Sequence, residues 1–276
     1  MFSVRRLEAE EFLAVVVPFL AAREVENNLM IGLAQRIVAH PETAPAAVLC
    51  AVEDRGKLVG ASLRTPPNFP IVTALPPGAA AQVAEFFASV GDVPDGALGP
   101  GMHGRDLAER FAEKRHGRLV LASDEIVYEL TTLCEPRLPP GRARAATPGE
   151  LPLVTRFLAE FFREVALPHP PDPVVLARRI MDRHAALVWD DEGPVSLACW
   201  ARHTLNGTAI APVYTPPAAR NRGYASAVTA ALCRELLASG RRFVCLHAER
   251  GNAASNHVYQ SLGFRAVATI NVWSVR

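Results

Sequence analysis

The chain has 276 residues, half of them hydrophobic, and a formal net charge of +1. That length favours two domains of about 140 residues each, and the near-neutral balance removes any global electrostatic reason to expect nucleic-acid binding. The five cysteines, Cys50, Cys134, Cys199, Cys233 and Cys245, stand singly in apolar surroundings without the paired spacing of a disulfide framework or zinc site, so they read as core thiols.

The apolar run from Phe12 to Ala22 follows Glu8, Glu10 and Glu11 and is interrupted by Pro18. That is unlike a signal peptide or a membrane span, and the expectation is a cytoplasmic protein without membrane attachment. Val48 to Thr65 reads as a hairpin around Asp54-Arg-Gly56, followed by the string Ile71-Val-Thr-Ala-Leu-Pro-Pro77 and a later helix from Gly104 to Gly117. The segment Glu135-Pro-Arg-Leu-Pro-Pro-Gly-Arg-Ala-Arg, rich in Pro, Gly and Arg, reads as a linker and divides the chain into 1–138 and 139–276.

Thr147-Pro148-Gly149-Glu150 matches a capping box with Pro at the first helical position, and Leu151, Val154, Leu158, Phe161, Phe162 and Val165 continue it at helical spacing. Next come a helix from Pro173 to His184, a hairpin with strands Ala186 to Trp189 and Val195 to His203 around Asp190-Asp-Glu-Gly193, and a turn at Leu205-Asn-Gly207. A strand from Ala209 to Thr215 then leads through a loop into a helix from Arg222 to a C-cap at Gly240. A strand from Arg242 to Ala248, a helix from Asn252 and final strands from Ala266 to Val275 complete the chain.

The loop Val213-Tyr-Thr-Pro-Pro-Ala-Ala-Arg220-Asn-Arg-Gly223-Tyr-Ala225 is a candidate phosphate cradle. A helix start offers free N–H groups and the positive end of the macrodipole, and Gly223 permits close approach without a Cβ. Its pattern Arg220-x-x-Gly223-x-Ala225 resembles the acyl-coenzyme A pyrophosphate loop of the GNAT superfamily of N-acetyltransferases. A second block, Asn252-Ala-Ala-Ser-Asn-His-Val-Tyr259-Gln-Ser-Leu-Gly263-Phe264, is similar to the helix that follows in that superfamily.

The resemblance implies an α/β (α+β) fold of two GNAT-like domains, each a mixed, mostly antiparallel sheet flanked by helices. The N-terminal half repeats the plan in degenerate form: Ile71 to Pro77 parallels Ala211 to Pro217, but no Arg-x-x-Gly-x-Ala follows and Glu113 stands where a tyrosine is expected. It further implies acetyl-CoA as co-substrate. Val213, Tyr214 and Thr215 would pair with the pantetheine arm, and Arg220, Asn221, Arg222, Gly223, Tyr224, Ala225 and Ser226 would hold the pyrophosphate. Asn252 and Asn256 would reach the coenzyme, and Tyr259 would act as general acid on the leaving sulfur.

The activity implied is acetyl transfer to a primary amine of a small molecule or peptide by direct attack. An alkylamine of pKa about 10.4 costs about 4.6 kcal/mol to deprotonate at pH 7, so a base or water relay is required. Alternation along Phe243, Cys245, His247 and Glu249 makes His247 and Glu249 the base candidates. His203, His247 and His257 lack metal-ligand spacing, so no metal is expected. A silent acyl-CoA-binding module and a tandem enzyme resembling mycothiol synthase remain alternatives, and monomer and homodimer stay open. The acceptor pocket is expected from Phe161 to Pro173 and from the end of the chain.

Overall fold

The computed structural model describes residues 2–166 and 169–276. The chain divides into two compact units. The first takes the chain up to Val127 together with Glu249–Gly251 and Val267–Arg276, and the second takes Tyr128–Ala248 and Asn252–Ala266. No helix of the described residues is long and apolar enough to cross a membrane. The run around Pro18 lies in a helix, α1 (Ala9–Ala21), that continues through the proline.

In the first unit β1 (Phe2–Leu7), β2 (Val48–Asp54) and β3 (Lys57–Arg64) form an antiparallel meander. The short β4 (Ile71–Val72) joins its edge, and β5 (Gly96–Pro100) pairs parallel to β4. Residues of the last strand, β12 (Arg265–Val275), pair antiparallel with β5, and β6 (Leu119–Leu130) follows in the sheet order. Beyond Ala266 the sequence suggested more than one strand; the structure has the single strand β12.

Strand β2 is apolar from Val48 to Val52 because both its faces are covered there, and the two-residue period of a strand decides which side chain goes where. Leu49 and Ala51 join the core under α1 and α2 (Asn28–Ala39), with Phe12, Val16, Leu20, Met30 and Ile31. Val48 and Val52 face the other core, beneath α3 (Ala79–Ser89) and α4 (His103–Arg115). There Phe87 and Phe111 meet edge to face at 5.8 Å.

The second unit is built on β7 (Arg142–Ala145), β8 (Ala186–Asp190), β9 (Pro194–His203), β10 (Gly207–Tyr214) and β11 (Phe243–Glu249), ordered β11-β10-β9-β8-β7. All neighbours are antiparallel except β10 and β11. Helices α5 (Leu151–Val165) and α6 (Pro173–Asp182) close a core of Val154, Phe157, Leu158, Ile180, Val188, Leu197 and Tyr214. The helix α7 (Tyr224–Ala238) is buried on most of its circumference, which suits its run of Ala, Val, Leu and Cys. A shorter helix, α8 (Ala253–Ser261), precedes β12.

The capping box forms as its spacing requires: Glu150 accepts from the Thr147 N–H at 2.7 Å and the Thr147 hydroxyl at 3.0 Å. The segment read as a linker is structured at its end. Arg142–Ala145 pairs with β8, and Arg144 reaches Glu150 and Asp190 with donor distances of 2.5 to 2.8 Å. Four cysteines are buried as expected, but Cys134 is exposed, lying just beyond β6 where the chain leaves the sheet.

Candidate active site

Parallel pairing of β10 with β11 covers Gly207 to Ala209, opposite Phe243 to Cys245. Beyond Ala209, β10 runs on to Tyr214 with no β11 partner among the described residues, while its other edge stays paired to β9 through register shifts on both sides of Ile210. A bulged strand bends and twists away from a neighbour. The outcome is a strand whose β11-side backbone groups are available to an extended ligand beside Val213 and Tyr214, in the manner of an added strand.

Two contacts hold the end of this strand. Ser196 on β9 donates to the Tyr214 carbonyl at 3.2 Å and lies 2.7 Å from the Thr215 hydroxyl. Tyr214 packs on Phe157 with ring centroids 5.7 Å apart and donates its phenol to Glu164 at 3.1 Å. Burial first, then the Glu164 and Glu160 carboxylates, push the Tyr214 phenol up to about 12.

The loop that follows is organised by Arg220. Its Nε donates to the Thr215 carbonyl at 2.9 Å, and its Nη2 lies 2.7 Å from both oxygens of Glu164. The guanidinium also sits 5.8 Å from the centre of the Tyr214 ring. Arg220 thus turns inward, closing the loop on its own base and on α5.

Asn221 (φ +62°) and Gly223 (φ +84°) both adopt the left-handed conformation, and α7 starts immediately after Gly223. The first N–H groups of a helix have no partner inside it, so those around Tyr224, Ala225 and Ser226 are directed outward from the helix start. A Cβ at Gly223 would meet nothing closer than Pro139 Cδ at 3.9 Å; the backbone conformation, not space, demands the glycine. Tyr224 is buried and donates its phenol to Asp191 in the turn between β8 and β9, which fixes the helix start. Arg222 is exposed beside this bond, and the Asp191 contact, with burial, holds the Tyr224 phenol above its usual value.

The second block supplies α8. Asn252 is its N-cap, accepting from the Ser255 N–H at 3.0 Å. Asn256 is buried and committed within the unit, accepting from the Tyr128 phenol at 3.0 Å and donating to the Asn252 carbonyl at 2.9 Å. Tyr259 is 9% exposed, with its ring against Tyr128 and Phe264. Burial, with the nearby Cys233, holds its phenol well above the ordinary range, and its hydroxyl has no hydrogen-bond partner among the described residues. The helix ends at Gly263 (φ +96°), where a Cβ would lie 2.9 Å from the Thr132 carbonyl.

The two base candidates separate. His247 is half-buried on β11 in the second unit. Glu249 falls in the first unit, accepting from Ser123 Oγ at 2.6 Å and the Asp124 N–H at 3.4 Å. Of the expected acceptor segment, residues 167 and 168 lie outside the described residues. No group of three or more potential metal ligands occurs among the described residues.

Ser196, Glu164, Asp191 and Tyr128 are the positioning residues that sequence reading missed. Each acts on a partner far away in sequence, and nothing local marks it.

Residues 190–274 match the family model described as FR47-like protein. No curated protein matches the sequence. Among solved structures, a GCN5-related N-acetyltransferase from Sphaerobacter thermophilus superposes with a TM-score of 0.66 at 18% identity, covering 99% of this chain and 95% of its own. A tandem GNAT protein from the clavulanic acid biosynthesis pathway gives 0.60 at 14% identity, covering 99% and 98%. A GNAT-family acetyltransferase from Colwellia psychrerythraea gives 0.57 at 14%, covering 99% and 100%.

Proposed function

We propose that this chain, which has the fold of GNAT structures and matches the FR47-like model in its C-terminal half, is a GNAT enzyme whose second unit transfers an acetyl group from acetyl-CoA to a primary amine by direct attack. The observation that carries this reading is the end of β11 pairing at Ala209 on a strand leading into a left-handed Gly223 at the start of α7. An unpaired strand edge suits the amides of a pantetheine arm. A helix start with outward N–H groups, and the exposed Arg222 beside it, suits a pyrophosphate.

In this reading the backbone of Val213, Tyr214 and Thr215 aligns the thioester, and the N–H groups from Asn221 to Ser226 hold the phosphates. Arg220 shapes their loop through Thr215 and Glu164. The amine gives up its proton to a base, its nitrogen forms the C–N bond, and the C–S bond breaks with the electron pair leaving on sulfur. Tyr259 is the acid for that sulfur. With its phenol held above the usual value of 10, it stays protonated at working pH and meets the leaving thiolate as a hydrogen-bond donor. Of the two base candidates we favour His247, which lies in the same unit as Tyr259, while Glu249 falls in the other. Asn252 and Asn256 serve the coenzyme by holding α8 rather than through their side-chain oxygens, which accept bonds within the unit.

Thiol release from acetyl-CoA with a panel of amines tests the proposal. Turnover on at least one amine is the expected result. Saturable coenzyme binding without turnover on any amine would instead favour a silent acyl-CoA-binding module.

A further inference from the structure

We infer that Tyr128, on β6, is a positioning residue for Tyr259, setting the place of its hydroxyl through two side chains of α8, those of Asn256 and Gln260; the inference rests on the proposed role of Tyr259 in acetyl transfer. Two buried phenols lie side by side in the second unit with ring centroids 6.3 Å apart, and their hydroxyls are in opposite situations. Tyr128, 1% exposed, donates to Asn256 Oδ1 at 3.0 Å and accepts from Gln260 Nε2 at 3.1 Å. Tyr259 Oη has no partner among the described residues, so it is the one left for a ligand.

The chain of bonds runs the length of α8. Asn256 Nδ2 donates to the carbonyl of Asn252, the N-cap, while Gln260 stands one residue past Tyr259. Positions 252, 256 and 260 are successive i, i+4 steps and share one face, and Tyr128 binds the last two directly. A helix of nine residues is too short to set its own orientation, so its rotation about its axis is fixed by tertiary anchors. One hydroxyl that accepts from one turn and donates to another is such an anchor. Turning α8 even slightly would break one of the two bonds, and the same turn would carry Tyr259 off its place. Phe264 packs on Tyr259 with ring centroids 5.7 Å apart and constrains the ring but offers its hydroxyl nothing.

Tyr128→Phe keeps the ring and removes only the anchor atom, so the fold is retained and the effect can be read at Tyr259. The chain has only four tyrosines, Tyr128, Tyr214, Tyr224 and Tyr259, so a 13Cζ-tyrosine NMR spectrum can be assigned by single Tyr→Phe changes. Tyr128→Phe is expected to shift the Tyr259 resonance and leave those of Tyr214 and Tyr224 in place. In kinetics, kcat should fall about tenfold with the KM for acetyl-CoA within twofold. In a Tyr259→Phe background the same change should cost nothing further, because residues acting through one another are not additive. An unmoved Tyr259 resonance, or losses that multiply in the double variant, would overturn the inference. A wild type that turns over no amine would instead remove the proposed activity and leave the NMR result to decide this point alone.

Discussion

Arg220 and Glu164 are joined through a single guanidinium nitrogen that lies 2.7 Å from both carboxylate oxygens, while the same arginine donates from Nε to the Thr215 carbonyl. The arginine at the diagnostic position of the proposed coenzyme loop is therefore engaged in shaping that loop. Both side chains are near half exposed, so the pair contributes little to global stability. Its consequence is local order in a loop whose N–H groups are the proposed binding surface.

That arrangement predicts an unintuitive result for Glu164→Gln. Removing a negative charge beside an anion site should favour an anion, yet releasing Arg220 should loosen the loop and weaken acetyl-CoA binding about two- to fivefold, on the order of 0.5–1 kcal/mol. Calorimetric titration decides it. Tighter binding in the variant would mean that Arg220, once freed, contacts the phosphates itself.

Acid should destabilise the second unit in two stages. His203 is held below 6.5, by burial first and then by Arg241 and Arg183, so the unfolded chain takes up a proton the folded chain resists, and stability declines as pH falls below 6.5. Glu150 is lowered to about 2, first by its bond to Arg144, so its contribution is present above 4.5 and is lost as pH falls toward 2. Thermal melts from pH 7 to pH 3 should show Glu150→Gln with a shallower acid-side slope between 4.5 and 3, and His203→Gln with a shallower slope beginning near 6.5. Slopes parallel to wild type would contradict the assignments.

One acetyl-CoA per chain is the expected stoichiometry. The first unit keeps echoes of the plan: β4 pairs parallel to β5 at a single residue, Ile71 opposite Leu98, and α3 starts after Gly78 at φ +86°, much as α7 starts after Gly223. Its strand extension, however, is filled from within. The Leu75 N–H is taken by His103 Nδ1 at 3.3 Å, and the Leu75 side chain packs over Gly60. A stoichiometry of two from calorimetry or equilibrium dialysis would show that these plugs yield to the coenzyme.

What was legible in the sequence follows physical range. The capping box at Thr147, the hairpin around Asp190 to Gly193 and the helix behind Gly223 are local events, fixed by residues within a few positions of each other, and they appear where their spacing places them. The inward turn of Arg220 was not legible, because its partner Glu164 lies 56 residues away on α5. The same holds for Tyr128, which is 128 residues from Asn256 and sits on a strand whose alternation marks burial but not a hydrogen bond. Arg142 to Arg144 read as linker because Pro and Gly dominate just before them, yet pairing with β8 and the bonds of Arg144 draw them into the sheet. Local propensity yielded there to tertiary pairing.

Tyr259→Phe separates binding from chemistry. The variant keeps the packing against Tyr128 and Phe264 and loses only a hydroxyl that has no partner among the described residues, so stability should hold within about 0.5 kcal/mol. Acetyl-CoA affinity should be nearly unchanged while kcat falls about 10²-fold or more. Full activity in the folded variant would remove Tyr259 as the acid.

The most direct measurement is calorimetric titration of acetyl-CoA into the wild type and into Gly223→Glu, with folding of both verified by circular dichroism. The left-handed φ of +84° penalises any side chain by about 1–2 kcal/mol, and a carboxylate there would oppose an anion at the start of α7. The account predicts saturable binding at one site per chain, weakened at least tenfold in the variant; a folded wild type that does not bind, or a variant that binds equally well, would contradict it.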